Sequence, residues 1–251
     1  MVTGGGTGLG RAIAAGLSAA GAEVVIAARR LDVLETTAAE ISEATGNPVL
    51  VDQVDIRDRE LVEGLAGRHQ LDILVNNAGG QFPQKARDYS PNGWNSVINL
   101  NLNGTWAMTQ TFGNQMLDGD GGVIVQIVAI VGRGIPGIAH SAAARAGVVE
   151  LAKTLSFEWG PSVRVNCVAP GAFRTDGWEK TYDEEVGSDM SGVPMPFPGN
   201  PEDIANSVVF LASPAAAFIT GECLYVDGGH ALHGPLDALP PNSYPERDLR
   251  T

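Results

Sequence analysis

Eight residues near the start of the chain, Thr3-Gly4-Gly5-Gly6-Thr7-Gly8-Leu9-Gly10, have the types and spacing to cradle a phosphate. Glycines let a backbone turn sharply and approach an anion closely. A helix that follows offers free N–H groups at the positive end of its dipole. A tight strand–helix connection without a ligand would use similar residues, but the strand–turn–helix setting favours a dinucleotide pyrophosphate. The next strand ends Ala27-Ala28-Arg29-Arg30. A carboxylate there would hold the adenosine ribose hydroxyls of NAD. Arg29 instead offers a planar guanidinium to a 2′-phosphate, so NADP(H) is expected. The plainer reading of both arginines is a solvated turn.

The elements that must position these groups alternate. Apolar runs at 23–28, 49–54, 71–76, 123–128, 163–169 and 223–226 read as strands of a parallel sheet covered on both faces. Helical patterns fall at 8–20, 31–45, 94–116, 142–159 and 201–212, the second closed by Gly46 and the last opened by Pro201-Glu202-Asp203. The expectation is an α/β fold: a single Rossmann-like domain, its doubly wound parallel sheet flanked by helices on both faces. Only Met1-Val2-Thr3 precede the glycines, so either the first strand is very short or the native start is missing. Residues 174–200 are rich in Gly, Pro and acids and read as a substrate lid. Residues 234–251, with Pro235, Pro240, Pro241 and Pro245, read as an irregular tail.

Composition narrows the function. The 251 residues carry 16 Lys plus Arg against 29 Asp plus Glu, a net charge of −13, which argues against nucleic acid and anionic membranes as partners. With 44% apolar and 18% charged residues the chain is globular and needs no disulfides. Cys167 and Cys223 both fall in apolar strand-like runs and point to buried thiols in a reducing compartment. No apolar run reaches the roughly 18 residues of a membrane span. Neither end carries a targeting signal, so a cytoplasmic location is expected. His69, His140, His230 and His233 are scattered without a cysteine partner, so no metal site is expected.

The pattern T-G-x-x-x-G-x-G, Asn76-Asn77-Ala78-Gly79, Pro170-Gly171 and Asp227-Gly228-Gly229 follow one another in the order of the short-chain dehydrogenase/reductase family, which the chain resembles from Met1 to Gly229. The resemblance implies one domain (residues 1–233), a nicotinamide cofactor, and a homo-tetramer or homodimer. It implies cofactor contacts from Gly4, Gly6, Thr7, Gly8, Leu9 and Gly10, from Asp55 and Ile56 near adenine, from Asn77, Ala78 and Gly79, and from Pro170, Gly171 and Thr175 toward the nicotinamide.

The usual catalytic residues of that family are replaced. Alignment on Ala146-Gly147-Val148 puts Ser141 at the tyrosine position and Arg145 at the lysine position. The strand serine falls at or next to Ala129, while the helix asparagine is kept as Asn101. Ser141 and Arg145, four apart on a helix, share a face. They can hydrogen-bond a substrate and the nicotinamide ribose, the role of Arg145 being both catalytic and cofactor-binding. They make a poor proton-transfer pair, because a serine hydroxyl is a far weaker acid than a phenol and arginine holds its proton. One reading is a decayed site in an inactive NADP(H)-binding subunit. The other is conjugate reduction, in which the carbonyl oxygen needs only a hydrogen-bond donor and a water protonates the α carbon.

The segments Asn76–Phe82, Ser90–Trp94, Leu102–Thr105 and His140–Val148 are similar to the peroxisomal trans-2-enoyl-CoA reductase and 2,4-dienoyl-CoA reductase branch, which lacks the usual tyrosine and uses NADPH. Citronellol/citronellal dehydrogenase-type proteins resemble that branch as well. Dienoyl reductases place a tyrosine after the fifth strand, where this chain has Ile130-Val131-Gly132-Arg133. A 2-enoyl thioester is therefore favoured, with Tyr89 or Tyr182 as other sources of a phenol. The lid carries six acids and two bases, a balance of −4, which counts mildly against polyanionic coenzyme A and keeps a terpenoid alcohol or enal as the alternative. His140 is one residue, about 100°, from Ser141, so a surface or interface histidine is favoured over a proton relay.

Overall fold

A computed structural model describes residues 1–130, 132, 134–173, 175, 190 and 193–232. The expected lid lies mostly, and the expected tail wholly, outside these residues, as do Tyr182 and His233. Seven parallel strands form one sheet in the order β3-β2-β1-β4-β5-β6-β7. They are β1 (Val2–Thr3), β2 (Val24–Ala28), β3 (Val49–Gln53), β4 (Ile73–Asn76), β5 (Gly122–Ile127), β6 (Val163–Pro170) and β7 (Cys223–Val226). The continuous apolar runs are explained by burial on both sides. Ile13, Leu17, Leu34, Ile41, Ile204 and Val208 cover one face of the sheet. Val62, Met108, Phe112, Met116, Val148 and Leu155 cover the other. These side chains come from α1 (Gly8–Ala19), α2 (Leu31–Thr45), α3 (Arg59–Ala66), α5 (Thr105–Asp118), α6 (Ala139–Trp159) and α7 (Pro201–Ala212); α4 (Pro91–Ile98) precedes α5.

The order of the strands makes the site. From β1 the chain winds outward through β2 and β3, then crosses back to pair β4 with the other side of β1. Such a reversal opens a crevice beyond the carboxyl ends of the two central strands. The glycine run follows β1 and Asn77–Gly80 follows β4, so both motifs meet there.

Three elements differ from the sequence expectation. Helix α3 was not anticipated; the Asp58 side chain caps it, accepting from the N–H groups of Glu60 at 3.0 Å and Leu61 at 3.2 Å. The expected helix 94–116 is α4 and α5 joined by a π-helical turn, Asn99–Gly104. There Gly104 lies against Ile56, whose Cγ1 would be 2.9 Å from an added Cβ. Helix α6 starts at Ala139 rather than 142, which puts His140 and Ser141 in its first turn.

Candidate active site

The phosphate end is built from backbone. Gly4 has φ +65° and Gly8 φ +53°, a region that favours glycine. A Cβ on Gly4 would sit 2.9 Å from Asn77 Nδ2 and 3.0 Å from Ala78 Cα, so the two loops are in contact. The amide of Asn77 donates to the carbonyls of Thr3 at 3.0 Å and Gly4 at 3.3 Å. Thr3 Oγ1 accepts from the N–H groups of Asn77 and Ala78, each at 3.0 Å. Asn77 therefore spends its amide on fixing the loop. Gly10 serves close packing, since a side chain there would strike Gly4 and Asn77. Leu9 packs into the core under α1. Thr7 precedes α1 and makes no side-chain capping bond, unlike Asp58 before α3 or Asn200 before α7. The N–H groups at the start of α1 are left for an anion.

The adenosine end lies in the same cleft. Gly4, Gly6, Thr7, Arg29, Asp55, Ile56, Ala78 and Gly79 line it, together with Arg30 and Leu100. Arg57, missed in the sequence, grips Asp55 through two nitrogens: Nη2 to Oδ2 at 2.5 Å and Nε to Oδ1 at 2.9 Å. That grip holds the Asp55 carboxyl below its ordinary range, with Arg29 adding to the effect. Arg57 stands two residues after Asp55, a spacing that could have flagged it. Arg29 is exposed and has no acidic side chain in ion-pair contact among the described residues.

At the other end three expected residues come together. Asn101, in the π turn, is 1% exposed and holds Gly80 in both directions: Oδ1 accepts from its N–H at 3.0 Å, and Nδ2 donates to its carbonyl at 2.9 Å. The same Nδ2 donates to Ser141 Oγ at 3.3 Å. Ser141 is thus an acceptor toward Asn101, and its own proton has no acceptor among the described residues. Arg145 is buried, donates from Nη1 to the Ile127 carbonyl at 2.9 Å, and lays Nη2 against Gly79, where a Cβ would collide with it. Burial lowers the Arg145 pKa to about 10, so it stays cationic at neutral pH. No carboxylate pairs with it among the described residues. Gly171, at the end of β6, donates its N–H to Val226 O at 3.0 Å and lies so close to Asp227 that a Cβ would be 2.6 Å from its Cα. Pro170 ends that strand. Thr175 reaches the phosphate loop, with its Cβ 3.5 Å from a Cβ built on Gly8. Ala129, expected at or next to the strand-serine position, lies two residues beyond the end of β5.

His140 departs from expectation. It is wholly buried rather than a surface histidine. Its Nδ1 accepts from the Ser141 N–H at 2.7 Å, satisfying one of the free N–H groups at the start of α6. Its ring lies 4.6 Å from those of both Phe82 and Tyr89. Tyr89 Oη donates to the Gly137 carbonyl at 3.0 Å, so that phenol is engaged with the loop before α6. Desolvation lowers the His140 pKa. Among the described residues no cluster of His, Cys, Asp and Glu could hold a metal ion.

The cleft fits a nicotinamide dinucleotide by its own chemistry: uncapped N–H groups at the start of α1, and Arg29 and Arg145, which pair with no carboxylate among the described residues. The comparisons agree. A family model described as Enoyl-(Acyl carrier protein) reductase matches residues 4–231. A Bacillus subtilis protein named "Probable 2,4-dienoyl-CoA reductase [(2E)-enoyl-CoA-producing]" is 38% identical, over 93% of this chain and 96% of its own length. The solved citronellol catabolism dehydrogenase of Pseudomonas aeruginosa superposes with a TM-score of 0.82 at 38% identity, covering 92% of this chain and 93% of that one. A solved structure from Beutenbergia cavernae, which holds NADP at low occupancy, superposes with a TM-score of 0.85 at 36% identity, over 91% of this chain and 94% of that one. With its crossover crevice, glycine loop and Asn–Ser–Arg cluster, the chain belongs to the short-chain dehydrogenase/reductase family of oxidoreductases.

Proposed function

We propose that this oxidoreductase uses NADP(H) to reduce the C=C bond of a trans-2-enoyl-CoA thioester. The observation that carries the reading is the Asn101–Ser141–Arg145 cluster: a hydroxyl whose proton has no acceptor, beside a buried cation that pairs with no acidic group, among the described residues. Bound in the cleft, NADPH supplies the hydride. Arg29 receives its 2′-phosphate, the start of α1 its pyrophosphate, and Arg145 the ribose hydroxyls near the nicotinamide. Thr175, Pro170 and Gly171 border that end.

Ser141 donates to the thioester carbonyl oxygen. As the β carbon becomes saturated, negative charge gathers on that oxygen, and a donor placed there is worth roughly 10²–10³ in rate. Asn101 holds Ser141 by donating to it, which turns the serine proton toward substrate. The carbonyl oxygen takes no proton from the protein, so the phenol and lysine of ordinary carbonyl reduction are not required. Water supplies the α-carbon proton.

A second reading is an alcohol/aldehyde dehydrogenase of the citronellol type. The 38% identity to the citronellol catabolism dehydrogenase favours it, as does the −4 balance of residues 174–200. NADPH consumption with a medium-chain trans-2-enoyl-CoA, beside the matching free enal, separates the two. Thioester-dependent consumption is the expected result; activity on the enal alone supports the second reading. No turnover of either thioester, enal or alcohol, with NADPH bound, would leave an NADP(H)-binding subunit. We place the unit in the cytoplasm, as a homo-oligomer of single domains spanning residues 1–233. Phe157 and Phe218, at 91% and 104% exposure, are side chains that an assembly could cover.

A further inference from the structure

Two cysteines that the proposed reaction does not use lie side by side. Cys167 of β6 and Cys223 of β7 are register partners in a parallel pair. Both belong to the core on the α6 face of the sheet. Paired strands run about 4.7–4.9 Å apart, and a disulfide needs its Cα atoms about 4.4–6.8 Å apart. The backbone therefore already meets the condition for a bond between these two sulfurs. Both are free thiols.

The two are unequal in a way that assigns them different roles. Cys167 is 1% exposed, whereas Cys223 is half-buried on the last strand of the sheet. The neighbouring Cys167 thiol and then the Lys153 ammonium lower the Cys223 pKa from the ordinary thiol value. The same contact and burial push Cys167 upward. Lys153 is itself tied to Glu150 on α6, at 2.5 Å. Cys223 is the more exposed thiol and the one whose pKa is lowered, as suits an attacking group, and Cys167 is the buried thiol, as suits a resolving one.

We propose that Cys167 and Cys223 are a reversible dithiol–disulfide site that takes low-molecular-weight disulfides as its oxidant. The Cys223 thiolate attacks one sulfur of the disulfide R–S–S–R, forming a mixed disulfide and releasing one RS⁻. Cys167 then attacks the Cys223 sulfur. Its proton leaves with the second thiolate as RSH, and the Cys167–Cys223 bond closes. From the Cys223 thiolate the protein loses two electrons and one proton, and R–S–S–R is reduced to one thiolate and one thiol. The bond joins β7 to the strand that ends at Pro170-Gly171 on the nicotinamide side of the cleft.

The test uses the full chain and oxidised glutathione as the probe. The protein is equilibrated at graded ratios of oxidised to reduced glutathione, alkylated in denaturant, and weighed intact by mass spectrometry. The expected result is a species two hydrogens lighter that takes no alkylating group. It carries a 167–223 cross-linked peptide and is restored by dithiothreitol. Cys223→Ser should leave Cys167 unmodified, and Cys167→Ser should stop at a stable glutathione adduct on Cys223. The proposal is overturned if wild-type protein stays fully alkylatable at every ratio. An unresolved adduct on Cys223, or only intermolecular cross-links, would overturn it as well. The wild-type measurement stands even where a variant folds poorly, and none of these outcomes depends on the reductase reading.

Discussion

Asn101→Asp changes almost no volume and should nevertheless be the more damaging of two substitutions. The aspartate keeps an oxygen to accept from the Gly80 N–H, now at 3.0 Å. It loses both donations from Nδ2, to Gly80 O at 2.9 Å and to Ser141 Oγ at 3.3 Å. The hydroxyl of Ser141 then has an ionised acceptor within reach and turns its proton toward it, away from substrate. Loss of one oxyanion donor costs about 3–4 kcal/mol, or roughly 10²–10³ in kcat. A new negative charge about 6 Å from the developing enolate adds roughly 3 kcal/mol at an effective dielectric of 20. Arg145 offsets part of this. Its Cζ and the Asn101 oxygen lie 3.1 and 3.2 Å from the same point beside Gly79. The net expectation is a fall in kcat of at least about 10²-fold. Asn101→Ala leaves the Ser141 proton uncommitted and should cost only about tenfold, one to two ordinary hydrogen bonds. Steady-state NADPH oxidation gives kcat, and thermal melts check that both variants fold. If the aspartate variant is as active as the alanine variant or more so, Ser141 is not the donor and the reasoning fails.

Three further outcomes follow from the same geometry. Arg145→Ala should weaken NADPH binding by about 10–100-fold, the worth of a charge-assisted hydrogen bond, in a fluorescence titration; an unchanged Kd removes Arg145 from the ribose. Arg29→Ser should cut the preference for NADPH over NADH by roughly tenfold while sparing the NADH KM, as one exposed phosphate contact allows; a constant preference would refute the 2′-phosphate contact. His140 is a base whose folded pKa lies below its usual 6.5, so the unfolded chain binds the proton first. Its contribution to stability is complete above the usual value and is lost as pH falls toward the folded one. Melting temperatures from pH 8 to 5 should therefore drop more for wild type than for His140→Asn, whose amide can accept from Ser141 without titrating. Parallel slopes would mean that His140 does not set the acid limit.

How much of this was legible depended on how locally each feature is encoded. Strands β2, β5 and β6 could be read because burial on both faces demands unbroken apolar runs, and the glycine loop because its turns demand glycine at fixed spacing. Helix α3 was missed because eight residues with a buried Val62 and Leu65 give too short a period to separate from a loop. The alignment of Ser141, Arg145 and Asn101 with family positions named three side chains that the fold brings together. It could not show that Asn101 donates to a serine forty residues away while clasping Gly80. Nor could it show that His140, expected at a surface or interface, turns inward onto Phe82 and Tyr89.

The π turn is the feature with the least sequence signal and the largest consequence. A regular helix through 94–116 advances about 100° per residue, and one widened turn resets that phase by a similar amount. Val97 before the turn and Met108, Phe112 and Met116 after it are all buried. Eleven residues at about 100° each would bring Val97 and Met108 to within about 20° of one face even in an unbroken helix, so their burial alone does not require the wide turn. Asn101 sits inside it, placed by the packing of its neighbours, with Thr105 Oγ1 donating to its carbonyl at 3.0 Å. The amide that donates to the Ser141 hydroxyl thus stands on the junction of α4 and α5, which ties the site to that turn as well as to the helix on which the serine stands.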